Sequence, residues 1–156
     1  MENLAWICTL VGIAGVIFAI IQANSVKNAP AGDEKMNEIA DAIKAGAIAY
    51  LNRQMKSMGI VGIILTIIIF AAPGYGAYAA LGFILGAIAS FIAGYVGMRV
   101  SVIANVRTAE AAKSGLNAGL QMAFKGGSVT GMIVASLALT VCAGLFALLT
   151  NINLDP

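Results

Sequence analysis

Four apolar stretches, each close to the length that crosses a lipid bilayer, constrain what this chain can fold into. A membrane-spanning helix needs about 20 mainly apolar residues. Only 10% of the 156 residues are charged, against about 25% in a soluble domain, so a water-soluble globule is excluded. The sequence predicts an all-α, polytopic membrane protein in which residues 1–156 form one four-helix membrane segment. The four spans are expected at about 4–22, 51–72, 77–98 and 129–149.

The basic residues determine the expected orientation. By the positive-inside rule, short loops rich in Lys and Arg remain in the cytoplasm. The purest apolar part of span two begins at Met58, and the long side chains of Arg53 and Lys56 can reach from the start of the span to the membrane surface. With span two counted from Met58, all nine basic residues lie between spans one and two or between spans three and four, together with five of the seven acidic residues. Both connections are therefore predicted to be cytoplasmic, and both ends of this chain to face outside. The basic residues are Lys27, Lys35, Lys44, Arg53, Lys56, Arg99, Arg107, Lys113 and Lys125.

Two further features concern the ends of the spans. The first span follows Glu2 and lacks a basic N-terminal region, so a retained anchor is favoured over a cleaved signal peptide. Spans two and three are separated by a short segment containing Pro73-Gly74, which is typical of a tight turn. Spans two and three are therefore predicted to form an antiparallel hairpin.

Both cytoplasmic connections are predicted to contain helical extensions. In the first, Asp33 is suited to be the N-cap of one long helix from near Glu34 to Ala72. Its apolar positions recur at helical spacing, and the second connection has a similar stripe that ends before a break at Gly126-Gly127. For both helices, a structural interpretation is favoured, in which one face packs against the protein and the other is solvated. The alternative is that the two helices form a collar that supports a site for an anion. The stripes are Met36, Ile39, Ala40, Ile43, Ala47, Tyr50 and Leu51 in the first connection, and Ala109, Ala112, Leu116, Leu120 and Ala123 in the second.

The third span places small residues four apart on one face, at Gly82, Gly86, Ser90 and Gly94. In a membrane, such a stripe lets a second helix approach closely. The scattered hydroxyl residues of the spans are expected to hydrogen-bond within their own helices. These residues are Thr66, Ser90, Thr130, Ser136 and Thr140.

The sequence lacks the residues of several functional classes. No ionisable side chain lies near the middle of a span, which disfavours ion carriers such as the rotary-ATPase proteolipid and small multidrug exporters. His is absent, and Cys8 and Cys142 lie inside apolar runs. No carboxylate cluster for Mg²⁺, Walker motif or nucleophile–base set is found, and the basic residues are too few for nucleic-acid binding. We therefore predict no catalytic, cofactor-binding or metal-binding residue in this chain.

Two blocks of the sequence resemble a known family. Residues 38–56, EIADAIKAGAIAYLNRQMK, resemble the start of the second helix of membrane-integral pyrophosphatases, the ion-pumping inorganic diphosphatases. Residues 90–132 resemble the same family more closely. The shared elements there are Ala-Gly-x-x-Gly-Met at Ala93–Met98, Ala-Asn-x-Arg-Thr-x-x-Ala-Ala at Ala104–Ala112, and Ala-Phe-x-Gly-Gly-Ser-Val at Ala123–Val129.

The resemblance implies properties that the residues alone do not show. It implies a homodimer whose subunits contain about 16 helices in an inner and an outer ring. Such proteins hydrolyse Mg²⁺-bound pyrophosphate on the cytoplasmic side and move H⁺ or Na⁺ outward, and some members are stimulated by K⁺. Their substrate motifs and ion gate lie on later helices. This chain would then be the N-terminal, outer-ring part of such a pump, inactive alone, with the remaining helices of the parent chain, a second subunit and lipid as its partners.

A second interpretation comes from a different functional class. The chain can also be read as a complete four-span membrane subunit that scaffolds or assembles another complex without catalysis. The ending at residues 151–156 favours the first interpretation, because it resembles an outside loop that is cut short.

Overall fold

The computed structural model describes residues 2–72 and 76–151, which form four long α-helices. The helices are α1 (Glu2–Lys27), α2 (Glu34–Ala71), α3 (Gly76–Ala112) and α4 (Leu116–Asn151). All four are long and apolar enough to cross a membrane. The predicted all-α membrane fold with four spanning helices is therefore confirmed. The predicted turn at Pro73-Gly74 lies outside the described residues.

The helix α4 lies at the centre of the packing. It contacts α1 and α3 extensively, whereas α2 packs against α3 alone among the described helices. Ala19, Ala93, Val129 and Ile133 form the buried core where α1, α3 and α4 meet. The centre of the bundle therefore consists of small and β-branched residues.

Each close approach to α4 depends on a residue without a bulky side chain. A Cβ atom placed on Gly12 or Gly15 of α1 would collide with Thr140 or Ser136 of α4. On α3, a Cβ at Gly97 would lie 2.8 Å from Cγ2 of Thr130, whose hydroxyl donates a hydrogen bond of 3.4 Å to the Gly97 carbonyl. Since lipid is as apolar as the side chains, close contact of this kind is what holds helices together in a bilayer.

Two of the five hydroxyl residues named from the sequence bond within their own helices as expected. Thr66 and Thr140 each donate to a carbonyl one turn earlier in the same helix, at 2.7 Å. Thr130 differs, because its hydrogen bond crosses from α4 to α3. One of these polar groups therefore links two helices.

The start of α2 is formed as the sequence predicts. Asp33 is the N-cap, and its Oδ1 accepts a hydrogen bond of 2.9 Å from the backbone N–H of Met36. The helix then continues without interruption to Ala71. Its first apolar residues, including Met36, Ile39 and Ile43, face Val102 and Val106 of α3 across a small cavity of about 220 Å³.

The predicted small-residue stripe on α3 is only partly used within this chain. A Cβ at Gly82 would lie 3.1 Å from Leu145, but a Cβ at Gly86 or Gly94 would meet nothing within 4 Å in the part of the chain described. The face that α4 covers lies to one side of the stripe, where Ala89, Ala93, Gly97 and Ala104 are buried. Close contact at Gly86 and Gly94 with a helix outside this chain therefore stays a prediction.

The predicted helix break at Gly126-Gly127 was wrong. The helix α4 runs through both glycines, and the break lies earlier, at residues 113–115. Successive hydrogen bonds from the N–H groups of Lys113, Ser114 and Gly115 to carbonyls three residues back close this turn, and Gly115 has a φ of +128°. A positive φ favours glycine, so Gly115 supplies the break. The second stripe is thereby divided between two helices, and Leu116 and Leu120 are exposed.

The neighbouring glycines of α4 provide a matched pair of substitutions. We expect Gly126→Ala to destabilise the protein by about 1–3 kcal/mol, because the new methyl group would lie 2.6 Å from Cβ of Ala104. Gly127→Ala should be neutral or stabilising by up to about 1 kcal/mol, because nothing lies within 4 Å of its Cβ and alanine favours a helix. Thermal unfolding of both variants in detergent micelles checks the prediction. Equal unfolding midpoints would contradict the packing at Gly126.

Candidate functional site

Arg107 of α3 joins the two charged connections. Its Nη2 donates a hydrogen bond of 2.8 Å to the carbonyl of Lys27, the last residue of α1, and its Nε donates one of 3.1 Å to the carbonyl of Ala29. Its Nη1 donates to Ile103, one turn earlier on α3. The last carbonyls of a helix lack partners within the helix and carry partial negative charge. Arg107 therefore caps α1 and fixes the loop that follows it.

A second contact ties the start of α2 to the end of α3. Nζ of Lys113 lies 3.3 Å from Oδ2 of Asp33 and 2.6 Å from Oε2 of Glu110. The two carboxylates thus share one ammonium group. We call Lys27, Asp33, Arg107, Glu110 and Lys113 the charged junction.

Gly32 allows the loop to pass close to the charged junction. It has a φ of +86°, and a Cβ there would lie 2.8 Å from Oε2 of Glu110 and 2.7 Å from the sulfur of Met36. The side-chain amide of Asn37 donates hydrogen bonds to the carbonyls of Gly32 and Asp33, at 3.2 and 2.9 Å. The backbone conformation therefore favours glycine at this position, while the close atoms are the ends of two flexible side chains.

Asp33 and Lys113 of the charged junction stay charged over the neutral pH range. The backbone N–H of Met36, followed by the ammonium of Lys113, lowers the pKa of Asp33 below its usual 3.8. The carboxylates of Glu110 and Asp33 raise the pKa of Lys113 above its usual 10.5. Because the pKa of Asp33 is lower in the folded than in the unfolded protein, its carboxylate stabilises the fold at pH values above 3.8. This contribution to stability is lost as the pH falls below 3.8. The pKa of Lys113 is higher in the folded than in the unfolded protein, so its ammonium group stabilises the fold at pH values below 10.5. This contribution to stability is lost as the pH rises above 10.5.

The charged junction does not fit a magnesium ion. Asp33 and Glu110 surround the ammonium of Lys113, whereas Mg²⁺ needs free carboxylate oxygens and several waters. Glu38 and Asp41 are exposed one turn apart on α2, and within residues 2–72 and 76–151 no three metal-ligating side chains are grouped. The junction can align helices and hold a loop.

The structure brings together residues that sequence reasoning had assigned separately. The sequence predicts that Arg107, Lys113 and Gln121 face water or another part of the protein. Arg107 and Lys113 contact the first connection, and Gln121 is exposed. The N-cap at Asp33 is confirmed. The partners of Arg107 were missed, because they are backbone carbonyls about 80 positions away and leave no side-chain signal in the sequence.

Comparison with known proteins identifies the family to which this architecture belongs. The model of the inorganic H⁺ pyrophosphatase family matches residues 13–155. The chain belongs to this family. It corresponds to the N-terminal portion of the pyrophosphatases, as the two resembling blocks of the sequence imply.

Individual pyrophosphatases match most of this chain but extend far beyond it. A K⁺-insensitive pyrophosphate-energized proton pump of Methanosarcina mazei is 42% identical over 154 residues, which cover 99% of this chain and 23% of the pump. A second one, of Caldanaerobacter subterraneus, is 44% identical over 74% of this chain and 18% of its own length. A putative K⁺-stimulated pyrophosphate-energized sodium pump of Clostridium tetani is 42% identical over 85% of this chain and 19% of its own length. The chain thus spans about a fifth of the length of these relatives.

Arg107 provides a test of the charged junction. In the purified protein, Arg107→Gln should lower the free energy of unfolding by about 2–4 kcal/mol, since it removes charged hydrogen bonds to the Lys27 and Ala29 carbonyls. Arg107→Lys should restore part of this loss, because an ammonium can reach one carbonyl. Arg53→Gln is the control, as Arg53 is exposed. The midpoint of thermal unfolding in detergent is the measurement, and equal midpoints for Arg107→Gln and Arg53→Gln would exclude the capping role.

Proposed function

We propose that this chain is the N-terminal, four-helix structural part of a pyrophosphate-energised ion pump. The pump couples hydrolysis of Mg²⁺-bound pyrophosphate on the cytoplasmic side to outward transport of H⁺ or Na⁺. The observation that carries this proposal is the match of residues 13–155 to the pyrophosphatase family, together with relatives named as pumps of which this chain spans about a fifth. A scaffold role in another complex has no comparable support.

Within the pump, we assign this segment to the outer ring of helices. The distribution of carboxylates supports a structural role, because Asp33 and Glu110 are paired with Lys113 and no carboxylate lies near the middle of a span. In this proposal the later helices of the parent chain hold Mg²⁺ and pyrophosphate, carry the ion, and determine the choice of H⁺ or Na⁺ and the response to K⁺. The natural assembly is a homodimer of the parent protein.

The activity of the isolated chain tests this assignment. Hydrolysis of pyrophosphate requires several Mg²⁺ ions held by clustered carboxylates and an activated water. The natural-length protein should release phosphate from Mg²⁺-pyrophosphate and drive ion uptake into vesicles, whereas the purified 156-residue chain should do neither. Turnover by the chain that is abolished by Asp41→Ala would overturn the assignment. The coding sequence after Pro156 separates the two interpretations directly, since a continuing reading frame supports the pump and a stop codon supports a four-span subunit.

Our proposed orientation places both basic connections in the cytoplasm, and cysteine labelling tests it. In a background without Cys8 and Cys142, single cysteines at Asn28 and Ser114 should be protected from an impermeant thiol reagent in intact cells. Cysteines at Gly74 and Asn153, two positions outside the described residues, should react. The physical reason is the cost of moving Lys- and Arg-rich connections across the membrane. Reaction of the Ser114 cysteine from outside would show that the orientation is inverted.

A further inference from the structure

A cavity with three basic residues opens at the charged end of the bundle. It has a volume of about 350 Å³ and lies where the end of α1 meets α2 and α3. Each of these three helices contributes one cation to it, namely Lys27, Lys44 and Arg99, and none of its lining residues in the described ranges is acidic. Its floor is apolar and includes Leu51 and Met98. We call this cavity the basic mouth.

The three cations of the basic mouth are available to an anion. None of them is within 4.0 Å of a carboxylate in the described part of the chain, where the ion pairs found all involve Lys113. One guanidinium nitrogen of Arg99 donates a hydrogen bond of 3.3 Å to the hydroxyl of Tyr95, and the group lies 5.4 Å from the centre of that ring. Tyr95 thus orients Arg99 while leaving most of its N–H donors free, since a guanidinium carries five.

An apolar groove continues from the basic mouth between α2 and α3. A second cavity of about 370 Å³ shares Leu51 and Met98 with the mouth. A third cavity of about 680 Å³ shares Met58 and Phe91 with the second and extends to Thr66. From Leu51 to Thr66 the helix rises by about 22 Å, while one leaflet of the hydrocarbon core is about 15 Å thick. The groove is therefore long enough to follow a lipid chain from the interface to the middle of the bilayer.

We propose that the basic mouth and this groove bind one anionic phospholipid of the adjacent leaflet. Its phosphate lies among Lys27, Lys44 and Arg99, and an acyl chain lies along the α2–α3 groove. Basic pockets between membrane helices are typical sites for anionic lipid headgroups. Free phosphate or pyrophosphate could bind the same cations but would not occupy the apolar groove. The apolar cavities adjoin the charges and follow one another along α2 and α3 as far as Thr66, and for this reason we assign the site to a lipid.

Two triple variants with equal loss of charge test the proposal. The first, Lys27→Gln with Lys44→Gln and Arg99→Gln, removes the cations of the mouth. The second, Lys35→Gln with Arg53→Gln and Lys125→Gln, removes three exposed cations that line none of the three cavities. Arg53 is a strict control, because it lies two residues after Leu51 and so on the opposite side of α2. The natural-length protein is reconstituted in nanodiscs of mixed phosphatidylglycerol and phosphatidylcholine, and the lipid retained after transfer to detergent is quantified by mass spectrometry.

We expect the unchanged protein and the control variant to retain phosphatidylglycerol in preference to phosphatidylcholine. The mouth variant should lose this preference by about tenfold or more, given three cations near one headgroup. Millimolar inorganic phosphate should not displace the retained lipid, because it cannot occupy the groove. Equal losses in both triple variants would show general charge attraction and overturn the proposal. Displacement by inorganic phosphate would overturn it in favour of a soluble anion, and an absence of preference in the unchanged protein would exclude an anionic lipid.

Discussion

The close approach of α4 to two other helices is the contact on which the remainder of this fold depends. In lipid, helices gain little from leaving the solvent, so they associate where their backbones can come close together. Gly12 and Gly15 provide this closeness on α1, Gly97 provides it on α3, and Gly126 provides it on α4 itself. The helix α2 lacks such contacts with α4 and is placed through α3. The bundle is therefore a tight three-helix unit with a fourth helix attached to one side.

Polar contacts at one end of the bundle complement this packing. Arg107 and Lys113 both lie at the end of α3, and they fix the end of α1 and the start of α2, respectively. The salt bridge to Asp33 is exposed, and exposed pairs contribute little to stability. The salt bridge instead fixes the position of α2, since Asp33 is also the N-cap of that helix. The attached helix is thus held at its start by the same part of the chain, the end of α3, that secures the first connection.

The sequence predicts the elements of this fold better than it predicts their contacts. The four helices, the long α2 and its N-cap at Asp33 follow from local composition and spacing, and all were found. The break assigned to Gly126 and its neighbour was wrong, because a glycine can serve either a turn or a close helix contact, and only the three-dimensional surroundings distinguish the two. For the same reason the small residues at Gly86 and Gly94 could not be distinguished from the covered face at Ala93 and Gly97. The partners of Arg107 and the basic mouth depend on residues from separate helices, whose proximity no spacing rule reveals.

The pairing of α1 with α4 has a consequence for how the protein is made. The buried core joins Ala19 to Val129, which are about 110 residues apart in the chain. At a synthesis rate of about 5–20 residues per second, α1 leaves the ribosome roughly 5 to 20 seconds before its main partner exists. During that interval the groove of Gly12 and Gly15 is open to lipid, and Thr9 relies on its own helix for a hydrogen bond, at Ala5. The first helix is therefore made without its main partner, and its contacts with α4 form only when the fourth helix has been synthesised.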